Sequence, residues 1–582
     1  MLNINFRFSQ ALVMLTCLMS LVGCMMTSKD PQPSVVSFGQ SHEKALSVAT
    51  NILPKLHIRN GRSVFFVDNK PFLMLCAQTN NSSNYVAALP SVWESVEALG
   101  ANTLQIPVSW EQIEPIEGEF DFSFLDTLLE QARTRNVRVV PLWFGAFKNT
   151  SPSYTPPWVK LDNQRFPRMI RPDGDNHYAL SPHSQELFMA ERKAFTAFMR
   201  HLKKYDRQHT VIMVQVENEV GVYGLVRDHS ALANSVFEAP VPPELSKNLG
   251  LKNGIWRDAF GKDAEEMFTA YAFARYVGRL AEAGREVLNL PMYTNAALRH
   301  PTAKQSPGQY ATGGPTFNVL DVWKVGAPAI DMLTPDIYLP KSHDYNAVLD
   351  QYARIDNPLF VSETGTHDAY PRYFFEVLGR GAIGFSPFGI DDADYKVHPN
   401  DITGFKPDDI EGFAANYALI KNAASEWSRL GFENGIWGAA RGDNNGSRHF
   451  NLGSWLAEVS FDEWPFGYRA WSASNATGLK QPNEFKNAGV LIAKMDENVF
   501  LVTGKNARIE FKKNNETLPN QQAIFVSVEE VEFTDAEWLF QRMWNGDQTD
   551  YGINFTDLNK TFRITLGSYN SKSAQRSKPK SY

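Results

Sequence analysis

Cysteine is nearly absent: Cys17, Cys24 and Cys76 are the only three in 582 residues. They are too few and too unevenly spaced for a disulfide framework or a cysteine-ligated zinc site. Excess positive charge is missing too. With 57 Lys and Arg against 64 Asp and Glu, the chain carries −7 at neutral pH, which excludes a simple basic nucleic-acid binder. There is no Gly-x-x-x-x-Gly-Lys phosphate loop, no His-Glu-x-x-His and no Gly-x-Ser-x-Gly. One Gly-x-Gly-x-x-Gly occurs, at 379–384, but a helix-like stretch precedes it and a strand-like run follows. A dinucleotide fingerprint needs the opposite order, so these glycines form a helix-to-strand turn. The twelve histidines make no ligand cluster, and neither a metal nor a cofactor is indicated.

What is present is an ordinary globular composition, 43% hydrophobic and 21% charged. The aromatic share of 12% suits the flat apolar faces of sugar rings, although a well-filled core accounts for most of it. At the N-terminus, Arg7 precedes an apolar run at 11–22 that is too short to span a bilayer and has the form of a secretory signal. It ends in Leu21-Val22-Gly23-Cys24, which resembles the cleavage box of bacterial lipoproteins. Ordinary signal cleavage is the alternative. The box implies a lipid on Cys24 and a membrane anchor at the cell envelope. Met25 rather than Asp after it points to the outer membrane. Residues 25–50 are polar and contain Pro and Ser, as a tether does.

Beyond the tether, eight apolar runs alternate with helical patterns: 71–78, 101–109, 137–144, 211–217, 291–295, 330–336, 358–362 and 381–386. Leu125, Leu128, Leu129 and Ala132 keep one face of a helix, and Leu187, Ala190, Ala194 and Phe198 keep one face of another. This alternation predicts a (β/α)8 TIM barrel over 51–430. An open doubly wound sheet competes, but no phosphate loop follows the first run. After a last helix-like stretch at 407–430 the texture changes to short alternating runs with Asn and Gly turns, predicting a smaller all-β, sandwich-like domain over 431–570. Residues 571–582, with Lys572, Arg576, Lys578 and Lys580, form a solvated basic tail. Cys76, within the first run, reads as a small buried hydrophobe.

Barrel enzymes draw their reactive groups from the carboxyl ends of strands. The fourth run ends in Glu217-Asn218-Glu219 and the seventh in Ser362-Glu363-Thr364, each placing a carboxylate where a strand leaves the apolar sheet. Charge there is costly unless paired or at work. Two carboxylates on one pocket are the equipment of glycoside hydrolysis, one donating a proton while the other attacks or activates water. Glu217 rivals Glu219, since side chains two apart on a strand share a face. Trp143 and Tyr338, at or just beyond strand ends, are possible sugar contacts, with core packing the alternative. Lys148 and Asn149 could bind hydroxyls or cap the next element. Glu111, beside Trp110, reads as structural.

Longer stretches narrow the reading. Asn102-Thr-Leu-Gln-Ile-Pro-Val-Ser-Trp-Glu-Gln-Ile-Glu-Pro-Ile-Glu-Gly-Glu-Phe-Asp-Phe122, Pro141-Leu-Trp-Phe-Gly-Ala-Phe-Lys-Asn149 and Gln215-Val-Glu-Asn-Glu-Val-Gly221 resemble glycoside hydrolase family 35, the β-galactosidases, in its bacterial branch. Trp544-Asn-Gly-Asp-Gln-Thr-Asp550 resembles a motif of the β-rich domain that accompanies that branch. The resemblance implies a retaining exo-β-galactosidase acting on oligosaccharides, such as galactose-capped xyloglucan fragments. It implies Glu219 as general acid/base, Glu363 as nucleophile, Asn218 on the sugar 2-hydroxyl and Glu217 in support. Glu219 would be the carboxyl of raised proton affinity and Glu363 the ionised one. Another β-glycosidase specificity, or a non-catalytic glycan-binding surface lipoprotein, are the alternatives.

Overall fold

The computed structural model describes residues 52–391, 407–444, 446–461, 487–514, 520–555 and 559–572. Cys24, the tether at 25–50 and all of the basic tail beyond Lys572 lie outside them. Eight parallel strands close into a barrel: β1 (Met74–Gln78), β2 (Thr103–Ser109), β3 (Arg138–Lys148), β4 (Val214–Asn218), β5 (Met292–Ala297), β6 (Met332–Ile337), β7 (Val361–Thr364) and β8 (Gly384–Pro387). Pairing of Gly384 with Met74 and of Phe385 with Leu75 joins β8 to β1, which excludes the open sheet. Every strand lies on one of the apolar runs, because a strand buried on both faces must be apolar throughout.

Alternation along the strands sorts the two faces. Leu75, Ala77, Leu104, Ile106, Val139, Val214 and Val361 face the surrounding helices. Met74, Cys76, Val140, Leu142, Met213, Met332 and Phe360 fill the barrel floor with Phe65 and Val67. Cys76 is fully buried, and burial pushes its thiol pKa up, so it behaves as the expected hydrophobe. Phe65 and Val67 come from a hairpin not anticipated from sequence, Lys55–Arg59 with Arg62–Val67, turned at Asn60-Gly61. Both turn residues have positive φ, the two-residue turn that an Asn-Gly pair favours.

The longer helices are α1 (Leu89–Leu99), α2 (Ser123–Thr134), α3 (Gln185–Tyr205), α4 (Ala264–Val287), α5 (Leu320–Gly326), α6 (Ser342–Tyr352), α7 (Tyr373–Gly379) and α8 (Pro407–Ile420). The expected face of α2 (Leu125, Leu128, Leu129, Ala132) is buried, and of the α3 face Leu187, Ala194 and Phe198 are buried while Ala190 is partly so. The single helix expected at 407–430 is instead two, α8 and α9 (Ala424–Glu433), split by a short 3-10 turn. Among the described residues no helix is long and apolar enough to cross a membrane.

Two antiparallel sheets follow. The first holds six strands, running in space β9 (Ile436–Ala440), β12 (Gly489–Asp496), β13 (Val499–Lys505), β18 (Thr561–Asn570), β15 (Gln521–Thr534) and β16 (Glu537–Met543). The second holds β10 (Arg448–Asn451), β11 (Trp455–Ser460), β14 (Ala507–Lys513) and β17 (Ile553–Phe555). Val490, Ile492, Val502, Ile509, Phe562 and Ile564 fill the space between them. The sandwich docks on α7 through backbone contact. A Cβ on Gly379 would stand 2.1 Å from the Gly438 nitrogen, and one on Gly438 1.9 Å from the Phe375 carbonyl oxygen. Beside that contact the buried Glu376 carboxylate pairs with Arg380 at 2.8 Å and, across the boundary, with Arg448 at 2.6 Å. The glycines at 379–384 therefore serve a turn and this docking, with Gly381 at φ +75.

Candidate active site

The polar groups gather at the carboxyl ends of the strands. Inside β2 the upper position Gln105 is already polar, donating to the Tyr293 hydroxyl of β5 at 2.9 Å. Above it, carboxylate oxygens of Glu219, Asp336 and Glu363 lie within 4.8 Å of one another. Glu363 and Asp336 are each the last residue but one of their strands, β7 and β6. Glu219 follows β4, 9% exposed against 7% for Glu363 and 3% for Asp336.

Local backbone geometry puts Glu219 there. Glu217 and Glu219 both hold left-handed φ, +61 and +47, which side chains other than Gly, Asn and Asp rarely adopt. The two reversals break strand alternation and send the two carboxylates to different places, contrary to the expectation that both could face the pocket. Glu217 is fully buried and accepts the amide N–H of Ala146 at 3.1 Å and of Phe147 at 2.9 Å. Burial, and then the neighbouring Glu191 carboxylate, raise its pKa well above the usual range, against the pull of the Phe147 and Ala146 amides.

Trp143 is a correction. It is fully buried on the helix side of β3, donates to Glu191 Oε1 at 2.9 Å and packs on Phe195 and Phe198 of α3. The parity of β3 turns Leu142 inward and Trp143 outward, so the indole cannot touch a ligand at the mouth. Tyr338 is at the mouth, with its hydroxyl donating to Glu363 Oε1. Glu111 pairs with Lys160 at 2.7 Å, in the structural role expected of it.

Lys148 and Asn149 reach the mouth because β3 slips register against β4 between Trp143 and Lys148, bringing Lys148 beside Asn218. The Lys148 ammonium donates to Asn149 Oδ1, which also accepts Asn218 Nδ2 at 3.1 Å. Asn218 Oδ1 accepts from Gln215 at 3.0 Å and from Asn295 at 3.2 Å.

Three residues at the centre were not singled out from sequence. Gln78, ending β1, donates from Nε2 to Glu363 Oε2 at 2.8 Å, while its own Oε1 has no partner among the described residues. Asp336 accepts from Asn295 Nδ2 at 2.6 Å and from Ser362 Oγ at 3.0 Å. Asn295, on β5, accepts the Glu219 amide at 2.9 Å. Each is a polar residue near a strand's carboxyl end, the one signal that could have found it.

Carboxylates this close cannot all be ionised. Burial, and then the Glu219 charge, push the Glu363 pKa up to about 7, against the downward pull of Lys148, Tyr338 and Gln78. Asp336 is raised well above its usual range by burial and then by Glu363 and Glu219. Sequence reasoning placed the raised proton affinity on Glu219. The structure raises it on Glu363 and Asp336, which burial desolvates. The same three carboxylates are the one grouping with metal-ligand spacing among the described residues. Lys148 and the donors on Glu363 and Asp336 already face it.

A model for glycoside hydrolase family 42, described as beta-galactosidase, matches residues 89–263, which carry β2, β3, β4 and Glu219. A model for a domain of unknown function, DUF5597, matches 413–556, most of the sandwich. No curated protein matches the chain. Among solved structures, the chain is similar to a β-galactosidase from Bacillus circulans sp. alkalophilus, at 10% identity and TM-score 0.44, covering 61% of this chain and 57% of that one. It is similar to a β-galactosidase from the psychrophilic Marinomonas ef1, at 14% identity and TM-score 0.42, covering 61% of each chain. It is also similar to the catalytic domain of a β-amylase from Paenibacillus polymyxa, at 13% identity and TM-score 0.42, covering 58% of this chain and 96% of that one. The chain thus spans about 57–61% of the length of the two galactosidases. The matched segment supports a glycoside hydrolase. The matching model is family 42 rather than family 35, which the strand-end motifs resemble. Short motifs around Asn-Glu answer to the chemistry of the bond and discriminate poorly between families that share it.

Proposed function

We propose that this chain is a retaining exo-acting β-galactosidase. The observation that carries the reading is that a carboxylate oxygen of Glu219 and one of Glu363 come within 4.8 Å of each other at one barrel mouth, from strand ends far apart in sequence. Retaining pairs stand ~5–5.5 Å apart and inverting pairs ~6.5–9.5 Å, because the latter must admit a water. Galactose and exo action are what the resemblance of the stretches at 102–122, 141–149 and 215–221 implies, and galactose accords with the family 42 model over 89–263. Xyloglucan fragments are the expected natural source.

The donor pattern supports this division of roles. Glu363 accepts from Tyr338 and Gln78, which fix it and favour its ionised form. Among the described residues no donor is directed at the Glu219 carboxylate, which is left facing the pocket. Glu363 attacks the anomeric carbon while the glycosidic C–O bond breaks and Glu219 gives its proton to the departing oxygen. Glu219, now a carboxylate, takes a proton from water, whose oxygen displaces Glu363 from the same carbon. Two inversions restore the starting configuration. Lys148, Asn149 and Asn218, with the unpartnered Gln78 Oε1, offer hydrogen bonds to sugar hydroxyls.

A panel of aryl glycosides, with NMR of the first-released anomer, tests the reading. The β-galactoside should be preferred and β-galactose should appear first. A first-formed α anomer would overturn the mechanism, and preference for another sugar would overturn the specificity. The lipid anchor belongs to the same proposal, resting on Leu21-Val22-Gly23-Cys24. The protein should partition with membranes and take up a labelled lipid precursor, both abolished by Cys24→Ser; soluble, unlabelled protein would refute the anchor.

A further inference from the structure

Double displacement uses two carboxylates, and the mouth holds three. The third, Asp336, has both oxygens occupied: one accepts Asn295 Nδ2 at 2.6 Å and the other Ser362 Oγ at 3.0 Å. It touches neither of its acidic neighbours through a hydrogen bond. Its effect is on Asn295, a buried amide with two unlike ends. The Asp336 oxygen facing Asn295 accepts its NH2 and, with the Asn218 carbonyl oxygen, turns that end of the amide inward. That leaves Asn295 Oδ1 pointing at the Glu219 amide, 2.9 Å away. The reversed amide would set an NH2 against an N–H.

The consequence falls on a backbone that needs holding. Glu219 sits at φ +47, where a glutamate is sterically disfavoured and persists only under restraint. We propose that Asp336 is a positioning residue for proton donation: it locks Asn295, whose carbonyl oxygen holds the left-handed backbone of Glu219 and so aims the acid at the leaving oxygen. The inference deepens the glycosidase reading and rests on it.

The test exploits what each carboxylate does. Departure of dinitrophenolate needs no proton, whereas departure of phenolate does. A defect in aiming Glu219 therefore appears on phenyl β-galactoside and fades on dinitrophenyl β-galactoside. Asp336→Ala and Asn295→Ala, in the full chain, should each lower kcat/KM on the phenyl substrate by roughly 30-fold or more, a large part of what general acid catalysis supplies, and by less than about 5-fold on the dinitrophenyl substrate. Asp336→Asn keeps an oxygen for Asn295 and should recover most of the phenyl-galactoside rate. The double alanine variant should be no worse than either single one, because both cut the same restraint.

Equal losses on both substrates would place Asp336 at the nucleophile or in the fold and overturn the inference, as would additive losses or none. If Asp336→Ala does not fold, Asn295→Ala carries the same comparison with every carboxylate in place. Wild-type protein inert on both galactosides would instead overturn the galactosidase reading, an outcome distinct from a variant's pattern of losses.

Discussion

Glu363→Gln is expected to lower kcat/KM on aryl β-galactosides by on the order of 10⁵-fold, the scale seen when an enzyme loses its nucleophile. The amide has nearly the shape of the carboxylate but cannot form the glycosyl ester. Its oxygen can still accept from Tyr338, and its NH2 can meet Gln78 Oε1, which is unpartnered in the native site, once the Gln78 amide turns over. The fold should therefore survive, and its stability should change with a definite sign. The ordinary glutamate pKa of 4.5 rises to about 7 in the folded site. A raised pKa stabilises the folded state while the group is protonated, below about 4.5, and that contribution is lost as pH rises through about 7. Glu363→Gln should thus melt higher than the native protein at pH 8, with the difference vanishing toward pH 4.5. Unchanged melting at both pH values, or substantial remaining activity, would contradict the role. The native enzyme should likewise lose kcat/KM below about pH 7, as Glu363 takes up a proton.

Glu219→Ala should cost about 10²–10⁴-fold, the usual worth of a general acid, with the loss graded by the leaving group. Phenyl β-galactoside should suffer the full penalty and dinitrophenyl β-galactoside little in kcat/KM. Added azide should then restore turnover on the dinitrophenyl substrate, because an anion fits where the carboxylate stood and needs no base to attack the glycosyl ester. The product should be β-galactosyl azide. A loss independent of the leaving group would assign Glu219 elsewhere. Glu217→Gln should lack this signature altogether, since its carboxyl is buried against the Ala146 and Phe147 amides.

The barrel was legible because its strands are apolar on both faces and end in turns, which leaves eight separate runs in the sequence. Glu219 and Glu363 were legible because a carboxylate at the end of such a run is out of place unless it has a task. Trp143 misled: an aromatic residue near a strand end looks the same whichever face it takes, and parity on β3 buries it under α3. Glu217 and Glu219 show the opposite difficulty. Alternation would put them on one face, and only the two left-handed residues separate them. Asp336, Gln78 and Asn295 escaped notice because a lone polar residue at a strand end is common, and their meaning comes from three-dimensional contacts with Glu363 and Glu219. The floor hairpin carries a local signal, Asn60-Gly61 between alternating residues, but its strands are short and half exposed beside the longer apolar runs.

The most direct measurement of the central claim is mass spectrometry of the protein after incubation with an activated 2-deoxy-2-fluoro-β-galactoside, which forms the glycosyl ester quickly and releases it slowly. Convergence of the two carboxylates on one anomeric carbon predicts time-dependent inactivation with one fluorogalactosyl group, carried by the peptide containing Glu363 and absent in Glu363→Gln. A label on another residue, or an enzyme that turns over galactosides yet never becomes labelled, would contradict it.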